Sequence, residues 1–308
     1  MPSGELPGSP VAPGVSAGPA RYGEVFDRGY QRYGGARLGR GHGVWAIARY
    51  SMKRAMGFKK GWSSKVIPFF VYIAAALTAV IPIGIEAFIG QESIPYEGFF
   101  GLLYVLQGIF VATITPEFMC SDRRENVLSL YFSRAITRLD YLVGKLVGAA
   151  LLTLTVTLAP ALLLWLGRQL LADAPLDALW SNLADLGRLA FVGTMLALYL
   201  SAGGLTIASF TGRKSIAVAV IIVGIVVLES LIALLLFALE GDASRIANFF
   251  SPTTVTSGLV SGVFEPDRPP PPSDQPDFAF AWWGYASAMA VTITLCLAIM
   301  YRRYVPAD

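Results

Sequence analysis

Three glutamates fall within or at the ends of long apolar stretches, where a charged side chain is costly to bury. Glu229 lies well inside one stretch, and Glu86 and Glu117 lie near the ends of two others. An ionisable side chain inside a membrane segment is a candidate for binding a substrate, a proton or an ion. We expect Glu229 to line or gate a pathway, paired with Arg188 or with a hydroxyl group. Glu86 and Glu117 are further pathway candidates, with helix capping or contact with the interface as the alternative.

Few residues support catalysis. His42 is the one histidine of the chain, and Cys120 and Cys296 have no CxxC partner, which excludes a disulfide framework and most His-based metal sites. No G-x-x-x-x-G-K-[ST] phosphate loop occurs, because the stretch GRKS at Gly212 lacks the upstream glycine. The apolar stretches hold no Ser/Lys or Asp/Asp constellation of an intramembrane enzyme. We expect no catalytic residue, no metal and no cofactor bound by this chain.

The composition is that of an integral membrane protein. The chain is 55% apolar and 15% charged with a mean hydropathy of +0.57, whereas soluble domains carry about 25% charged residues. A transmembrane helix needs about 20 mostly apolar residues. The sequence therefore predicts an all-α membrane protein with six transmembrane helices, at 66–90, 98–119, 146–167, 186–210, 215–239 and 278–301.

Lysine and arginine are distributed very unequally between the two sides of these spans. Only four of the 24 lie on one side, namely Arg168, Arg188, Arg245 and Arg268. Because Lys and Arg concentrate in cytoplasmic loops, both termini are predicted to be cytoplasmic. We expect a multi-pass protein of the plasma (inner) membrane.

Two regions precede the first span. Residues 1–42 are rich in Pro, Gly, Ser and Ala, with basic residues toward the end, and predict a disordered basic cytoplasmic tail. Residues 43–62 predict a basic amphipathic helix in the headgroup plane, in contact with membrane lipids. Residues 63–304 form the predicted six-span domain. The apolar positions of the predicted helix are Val44, Trp45, Ala48, Met52, Ala55 and Met56.

The charged segment 121–145, SDRRENVLSLYFSRAITRLDYLVGK, separates the second and third spans. Asp122 followed by Glu125 predicts the start of a short cytoplasmic helix, and Thr137-x-x-Asp140 predicts a capping box at the start of the third span. An apolar stripe runs through the segment and needs a cover. The stripe either packs on the protein's own helix ends or fills a groove on a partner.

The stretch 248–264, NFFSPTTVTSGLVSGVF, is too short to span a membrane and lies on the side opposite to the termini. We interpret it as a re-entrant or interfacial outer element that closes the exit of a pathway. An ordinary outer loop with an apolar patch is the alternative.

The charged segment resembles the loop after the second span of ABC-2 type transporter permeases. In that family a run such as E-x-x-x-x-L, S-R-x-x-S/T-R and Y-x-x-G-K leads into the third span. Ala135 departs from the pattern, where a proline is common, which affects the sharpness of the turn. The similarity extends over the six-span layout, the amphipathic helix and the outer element. The matching residues are Glu125, Leu130, Ser133, Arg134, Thr137, Arg138, Tyr141, Gly144 and Lys145.

This resemblance implies a fold and a role. The fold would be that of an ABC-2, or type V, exporter with a cytoplasmic coupling helix. The helix would sit in a cleft of a separate cytosolic ATPase, present in two copies, which would bind ATP and Mg. Two permease copies, identical or related, would form the working unit, without nucleic acid. The residues expected to contact the ATPase are Arg123, Arg124, Glu125, Leu128, Leu130, Tyr131, Arg134 and Arg138.

The mainly aliphatic spans, with several Ser, Thr and Tyr residues, favour a lipid-like or amphiphilic cargo over a small ion. Two other functions stay open from the sequence. One is a secondary carrier that uses Glu229 as a proton or ion site, although such carriers often show internal repeats, and none is evident. The other is an ABC-2-like complex that uses ATP to remodel the envelope without transport.

Overall fold

The computed structural model describes residues 39–58, 61–128, 131, 136–238, 246–265 and 280–304. These ranges contain helices and connecting turns but no β-strand. The predicted tail at 1–42 lies outside them except for its last four residues. The helices are α1 Arg40–Ala55, α2 Ser63–Ile89, α3 Tyr96–Arg124, α4 Arg138–Leu171, α5 Pro175–Ser181, α6 Leu183–Ser209, α7 Lys214–Ala238, α8 Pro252–Phe264 and α9 Trp282–Tyr304.

Six of these helices, α2, α3, α4, α6, α7 and α9, are long and apolar enough to cross a membrane. The predicted all-helical, multi-pass architecture is therefore confirmed. However, α3 has 29 residues and α4 has 34. At about 1.5 Å per residue they are roughly 44 and 51 Å long, longer than a hydrocarbon core of about 30 Å. Much of the charged segment 121–145 consequently belongs to the ends of these two helices and not to a separate loop.

The end of the bundle where α3 finishes and α4 begins is called the basic end. It also contains the connection between α6 and α7, and the last turn of α9. Exposed or half-buried cations gather here. The other end of the bundle is called the opposite end. The residues that define the basic end are Arg123, Arg124, Arg138, Arg213, Lys214, Arg302 and Arg303.

The turn after α3 differs from the prediction. Asp122 does not cap a new helix but lies in the last turn of α3, where it is completely buried. The helix ends in a Schellman motif, in which Val127 N–H donates to the Asp122 carbonyl and Asn126 N–H donates to the Arg123 carbonyl. Asn126 has φ 51°, the left-handed conformation that Asn tolerates better than most residues. Asn126, which adopts the left-handed conformation after the last helical turn, therefore marks the end of α3.

The start of α4 agrees with the prediction. Thr137 accepts a hydrogen bond from the Asp140 backbone, and the Asp140 side chain accepts one from the Thr137 backbone. This reciprocal capping box satisfies two backbone donors that the first helical turn leaves without partners. The box fixes where α4 begins and hence the register of the residues that follow it.

The predicted amphipathic helix forms, but its buried face contacts protein. Ile47, Ala48, Ser51 and Ala55 are buried, and α1 packs on α4 and α3. Trp45, predicted to lie on the apolar face, is 49% exposed. The ends of α3 and α4 therefore cover the buried residues of α1. The expected contact of this helix with lipid headgroups stays a prediction.

Small residues bring the helices of the bundle close together. A Cβ added to Gly204 of α6 would lie only 2.4 Å from Val111 Cγ1 of α3. Ser201, one turn away, exchanges a hydrogen bond with Thr153 of α4 at 3.1 Å. This stretch of α6 therefore provides contacts within one chain, as small residues do where helices pack closely.

Helix α8 is a short helix buried among the spans. It packs against α3, α6, α7 and α9, and Val255, Leu259 and Val260 are almost completely buried. Ser251 caps its first turn by accepting a hydrogen bond from Thr254 N–H. At its other end Phe264 stacks on Tyr96, the first residue of α3, with ring centroids 4.5 Å apart. The stretch 248–264 is thus an inserted helix and not an ordinary loop.

Candidate functional site

A completely buried ion pair lies at the basic end. Lys145 Nζ is 2.7 Å from Asp122 Oδ2, and the two side chains are 1% and 0% exposed. Tyr141 OH donates to the same carboxylate at 3.0 Å, and Arg54 Nη1 lies 3.2 Å from its other oxygen. Buried charges are tolerated when they are paired and hydrogen-bonded. Asp122 therefore joins α1, α3 and α4, and the cluster Arg54, Asp122, Tyr141 and Lys145 is called the junction cluster.

Helix α1 contributes further polar contacts to this cluster. Lys145 Nζ donates to Ser51 Oγ at 2.9 Å, and Arg54 also forms an ion pair with Glu125. The helices approach closely because Gly144 and Gly148 of α4 face α1. A Cβ on either glycine would lie 3.0 Å from a backbone carbonyl oxygen of α1. Polar pairing and close packing together fix α1 to the ends of α3 and α4.

Two of the apolar residues predicted to contact a partner pack within the protein itself. Leu128 and Tyr131 are partly buried and pack on the protein's own core. The Tyr131 ring lies 5.7 Å from the Tyr141 ring, and burial raises the pKa of Tyr131. At these positions the stripe is covered at least partly by the protein's own helix ends. Leu130 lies outside the described residues.

The predicted charged contacts also have different surroundings. Arg123 donates to the Ser209 carbonyl at 2.5 Å, and Glu125 pairs with Arg54, so both take part in internal contacts. Arg124 is exposed and Arg138 is half-buried. Arg134 lies outside the described ranges. Arg124 and Glu125 are both exposed, but Glu125 is engaged by Arg54, so Arg124 is the residue we select for testing a contact with another protein.

The ends of α6 and α7 are held at the same end of the bundle. Ser209, the last residue of α6, accepts hydrogen bonds from Arg123 of α3 and, at 2.8 Å, from Arg303 of α9. Cations are favourable at a helix C-terminus because its carbonyl groups carry partial negative charge. Lys214 Nζ lies 2.6 Å from Glu117 Oε1 and joins α7 to α3. Glu117, a predicted pathway residue, is thus placed in a contact between helix ends.

Glu86 lies in an ion pair at the opposite end. Arg168 of α4 donates to both carboxylate oxygens, at 2.7 and 3.1 Å, and the two side chains are 8% and 6% exposed. Ser93 N–H donates to the same carboxylate at 3.0 Å. Arg168 also donates to the Ile94 carbonyl and lies over the Tyr96 ring. This bidentate pair joins α2 to α4 and to the start of α3.

Glu229 binds the beginning of α8. Its carboxylate accepts hydrogen bonds from Ser251 Oγ at 2.7 Å, from Thr253 N–H at 2.8 Å and from Thr253 Oγ1 at 2.9 Å. The predicted hydroxyl partner is therefore present, whereas the alternative partner Arg188 pairs with Asp185 at 3.0 Å. An anion at a helix N-terminus is favourable because of the free N–H groups there. We call this contact the Glu229 latch.

A cavity of about 400 Å³ lies between α3, α6 and α7, with α8 and α9 contributing one residue each. It is almost entirely apolar, and none of its lining residues is charged. Tyr104 lines the cavity, is 6% exposed, and its hydroxyl has no hydrogen-bond partner within the described part of the chain. Pro252, between the two residues that bind Glu229, also lines it. The latch therefore lies beside the cavity.

The sequence did not identify the residues that organise the junction cluster and the cavity. The sequence places Arg54 in the predicted amphipathic helix and Asp122 and Lys145 in the charged segment, and it gives Tyr104 no signal that distinguishes it from other residues of its span. Tyr141 and Lys145 were noticed as part of the family-like pattern, without their contact to Asp122. No group of His, Cys, Asp and Glu side chains in the described ranges is arranged to hold a metal ion.

Comparisons of the sequence with models of known protein families find no match, and curated protein sequences also give none.

Proposed function

We propose that this chain is the membrane-spanning subunit of an ABC-2 type exporter of lipid-like or amphiphilic molecules. In this proposal the basic end faces the cytoplasm, and a separate cytosolic ATPase docks there on the connection between α3 and α4, away from the last turn of α9. ATP and Mg bind to that partner, and two ATPase copies act on two copies of the permease or on two related permeases. The protein resides in the plasma membrane with both termini in the cytoplasm.

The junction cluster is the observation that supports this proposal best. A partner that binds residues 125–137 contacts the connection between α3 and α4. Because Asp122 is bonded to Lys145, Tyr141 and Arg54, a displacement of this connection would move both spans together with α1. A loop that only joined two helices would need no buried ion pair, whose desolvation is costly. The arrangement is therefore suited to transmitting force.

Hydrogen bonds from two arginines to the end of α6 extend the mechanical connection between α3, α4 and α1 to further helices. Ser209 is bonded to Arg123, which directly follows Asp122, and to Arg303 of α9. Displacing the end of α3 therefore acts on α6 and α9 as well as on α4. In contrast, few of the described side chains of α7 are buried, namely Ala217, Ile221 and Ile232. In our proposal α7 moves relative to the other spans during transport.

The cavity and α8 fit an export pathway. The cavity lies within the span region and is apolar, which suits an amphiphilic cargo better than a hydrated ion. Glu229 is about 13 Å from the last residue of α7 along the helix, at ~1.5 Å per residue. Since α8 begins beside Glu229, we propose that α8 is a re-entrant element that closes the outer exit of the pathway.

A purification experiment tests this function. The tagged chain is extracted from its native host in a mild detergent, and the co-purifying proteins are identified by mass. We expect a stoichiometric soluble ATPase. Arg124→Glu should remove the partner because it reverses an exposed charge at the proposed contact.

Arg302→Glu is the matched control, since Arg302 is also exposed at the basic end but lies on α9. This variant should retain the ATPase. A wild-type chain that purifies alone and stays functional contradicts the proposal, as does equal retention of the partner by both variants. The carrier function based on Glu229 would then be favoured.

A further inference from the structure

The cavity between α3, α6 and α7 has the size and the lining of a binding site. Its volume of about 400 Å³ lies within the range of small-molecule sites, roughly 300–1,000 Å³. Three of the lining positions, Gly108, Gly203 and Gly224, leave space where a side chain could stand, because a Cβ there would have no neighbour closer than 3.8 Å. The cavity is therefore produced by glycines on three facing helices.

Tyr104 provides the second observation. Tyr104 is only 6% exposed. Its hydroxyl has no hydrogen-bond partner among the residues that the structure describes. A buried hydroxyl without a partner is unfavourable, and almost all such groups in proteins are satisfied. A ligand that brings a hydrogen-bond acceptor to Tyr104 would satisfy it.

The charges near the cavity restrict the ligand further. Among the described residues no lysine or arginine lines the cavity, so an anionic headgroup would find no cation among them. The carboxylate of Glu229 is hydrogen-bonded to Ser251 and Thr253, on either side of the lining residue Pro252, and would repel an anion. An uncharged ligand avoids both penalties.

We propose that the cavity binds the ester-bearing hydrocarbon chain of a neutral glycerolipid such as diacylglycerol, with Tyr104 OH donating to the ester carbonyl. The inference deepens the proposed function by naming a cargo class, and it depends on that function for the fate of the bound lipid. Lipid would enter beside α7, because the cavity is partly open to its surroundings and few of the described side chains of α7 are buried.

Photolabelling of the full-length chain tests this site without any ATPase. The purified protein in phosphatidylcholine nanodiscs is exposed to a diacylglycerol carrying a diazirine on one acyl chain, and labelled peptides are identified by mass. An alkane of matched length carrying the same diazirine is the reference probe. We expect labelling of α3, α6 or α7 peptides at cavity positions, more strongly by the ester probe than by the alkane.

Gly224→Leu should reduce this labelling several-fold, because its side chain would fill open space that borders the cavity. Gly84→Leu is the matched control, because a Cβ at Gly84 of α2 also has no neighbour within 4 Å and Gly84 does not line this cavity. Tyr104→Phe should reduce the preference for the ester probe by about threefold to tenfold, the loss expected for one hydrogen bond.

Equal labelling of wild type and Gly224→Leu at these peptides would overturn the site. Equal labelling by the two probes, or an unchanged preference in Tyr104→Phe, would overturn the role of Tyr104 and the choice of an ester lipid. If lipid binds as expected but no ATPase co-purifies, the site stands and the proposed exporter function fails. If an ATPase co-purifies but the cavity peptides are not labelled, the exporter function stands and the lipid site fails.

Discussion

Removing the carboxylate of the junction cluster should destabilise the fold more than removing the lysine. Asp122→Leu leaves Lys145 buried with Ser51 Oγ as its remaining described hydrogen-bond acceptor. An unpaired buried charge costs about 3–5 kcal/mol. Lys145→Met removes the cation, but Asp122 still accepts from Tyr141 and pairs with Arg54. The cost should therefore be smaller, about 1–3 kcal/mol for the lost contact.

The double variant separates this reasoning from a simple packing effect. Asp122→Leu with Lys145→Met replaces the pair by apolar side chains, which is often close to neutral for a buried pair. We therefore expect the double variant to be more stable than Asp122→Leu alone, although recovery is incomplete because Arg54 and Tyr141 each lose their contact with Asp122.

Thermal unfolding in detergent, followed by fluorescence-detected size-exclusion chromatography, measures these differences. A loss of about 4 kcal/mol should lower the melting temperature of Asp122→Leu on the order of 10 °C. Lys145→Met should melt between Asp122→Leu and wild type, and the double variant should melt above Asp122→Leu. Equal melting temperatures for the two single variants, or no recovery in the double variant, would refute the account of the cluster.

Three further predictions concern other contacts. Arg168→Met should lower thermal stability, because it leaves Glu86 buried without its cation, a loss of about 3–5 kcal/mol in the free energy of unfolding. Adding Glu86→Gln should restore part of this loss. Equal melting temperatures for the single and the double variant would contradict this prediction. Glu229→Gln should preserve expression but expose α8 to limited proteolysis, since an amide can accept through only one oxygen where the carboxylate accepts three bonds; unchanged proteolysis and transport would make the latch incidental. Gly204→Leu should lower stability by about 1–3 kcal/mol or more through overpacking against Val111, whereas Gly203→Leu, facing open space, should melt like wild type.

The features that the sequence predicted correctly depend on local patterns. Hydropathy over about 20 residues identifies a span regardless of what it packs against, and all six spans are found. The capping box of Thr137 and Asp140 involves residues three positions apart, so its spacing alone is informative. The helix Pro252–Phe264 was not predicted as a helix, although it also carries a local signal, since Ser251 caps it and Pro252 occupies its first turn.

The features that were missed depend on pairs that are distant in the sequence. Arg54 and Asp122 are 68 residues apart, and Arg168 and Glu86 are 82 apart. Counting positive charges gives an orientation but not which cation is buried. Lys145 counted as a loop charge, yet it is 1% exposed. Helical periodicity identifies a face that needs cover, but it does not show that part of the α1 face packs on α3 and α4.

The cavity could not be predicted because it also depends on residues that are distant in the sequence. Gly203 and Gly204 are neighbours in α6, but one faces open space and the other is in close contact with α3. Only the rotation of α6 relative to α3 distinguishes these two environments. The two tyrosines Tyr104 and Tyr199 come from different helices and meet at the cavity only after packing. Their separate positions in the sequence carry no signal of this arrangement.

The most direct test of the central claim is ATP-driven lipid movement in a reconstituted system. The chain and its co-purified ATPase are placed in liposomes with a fluorescent diacylglycerol, and a membrane-impermeant quencher reports its distribution between the leaflets. We predict ATP-dependent movement that is lost in Arg124→Glu and retained in Arg302→Glu. The same redistribution with and without ATP, or movement by the chain alone, would contradict the proposal that this protein couples a separate ATPase to export.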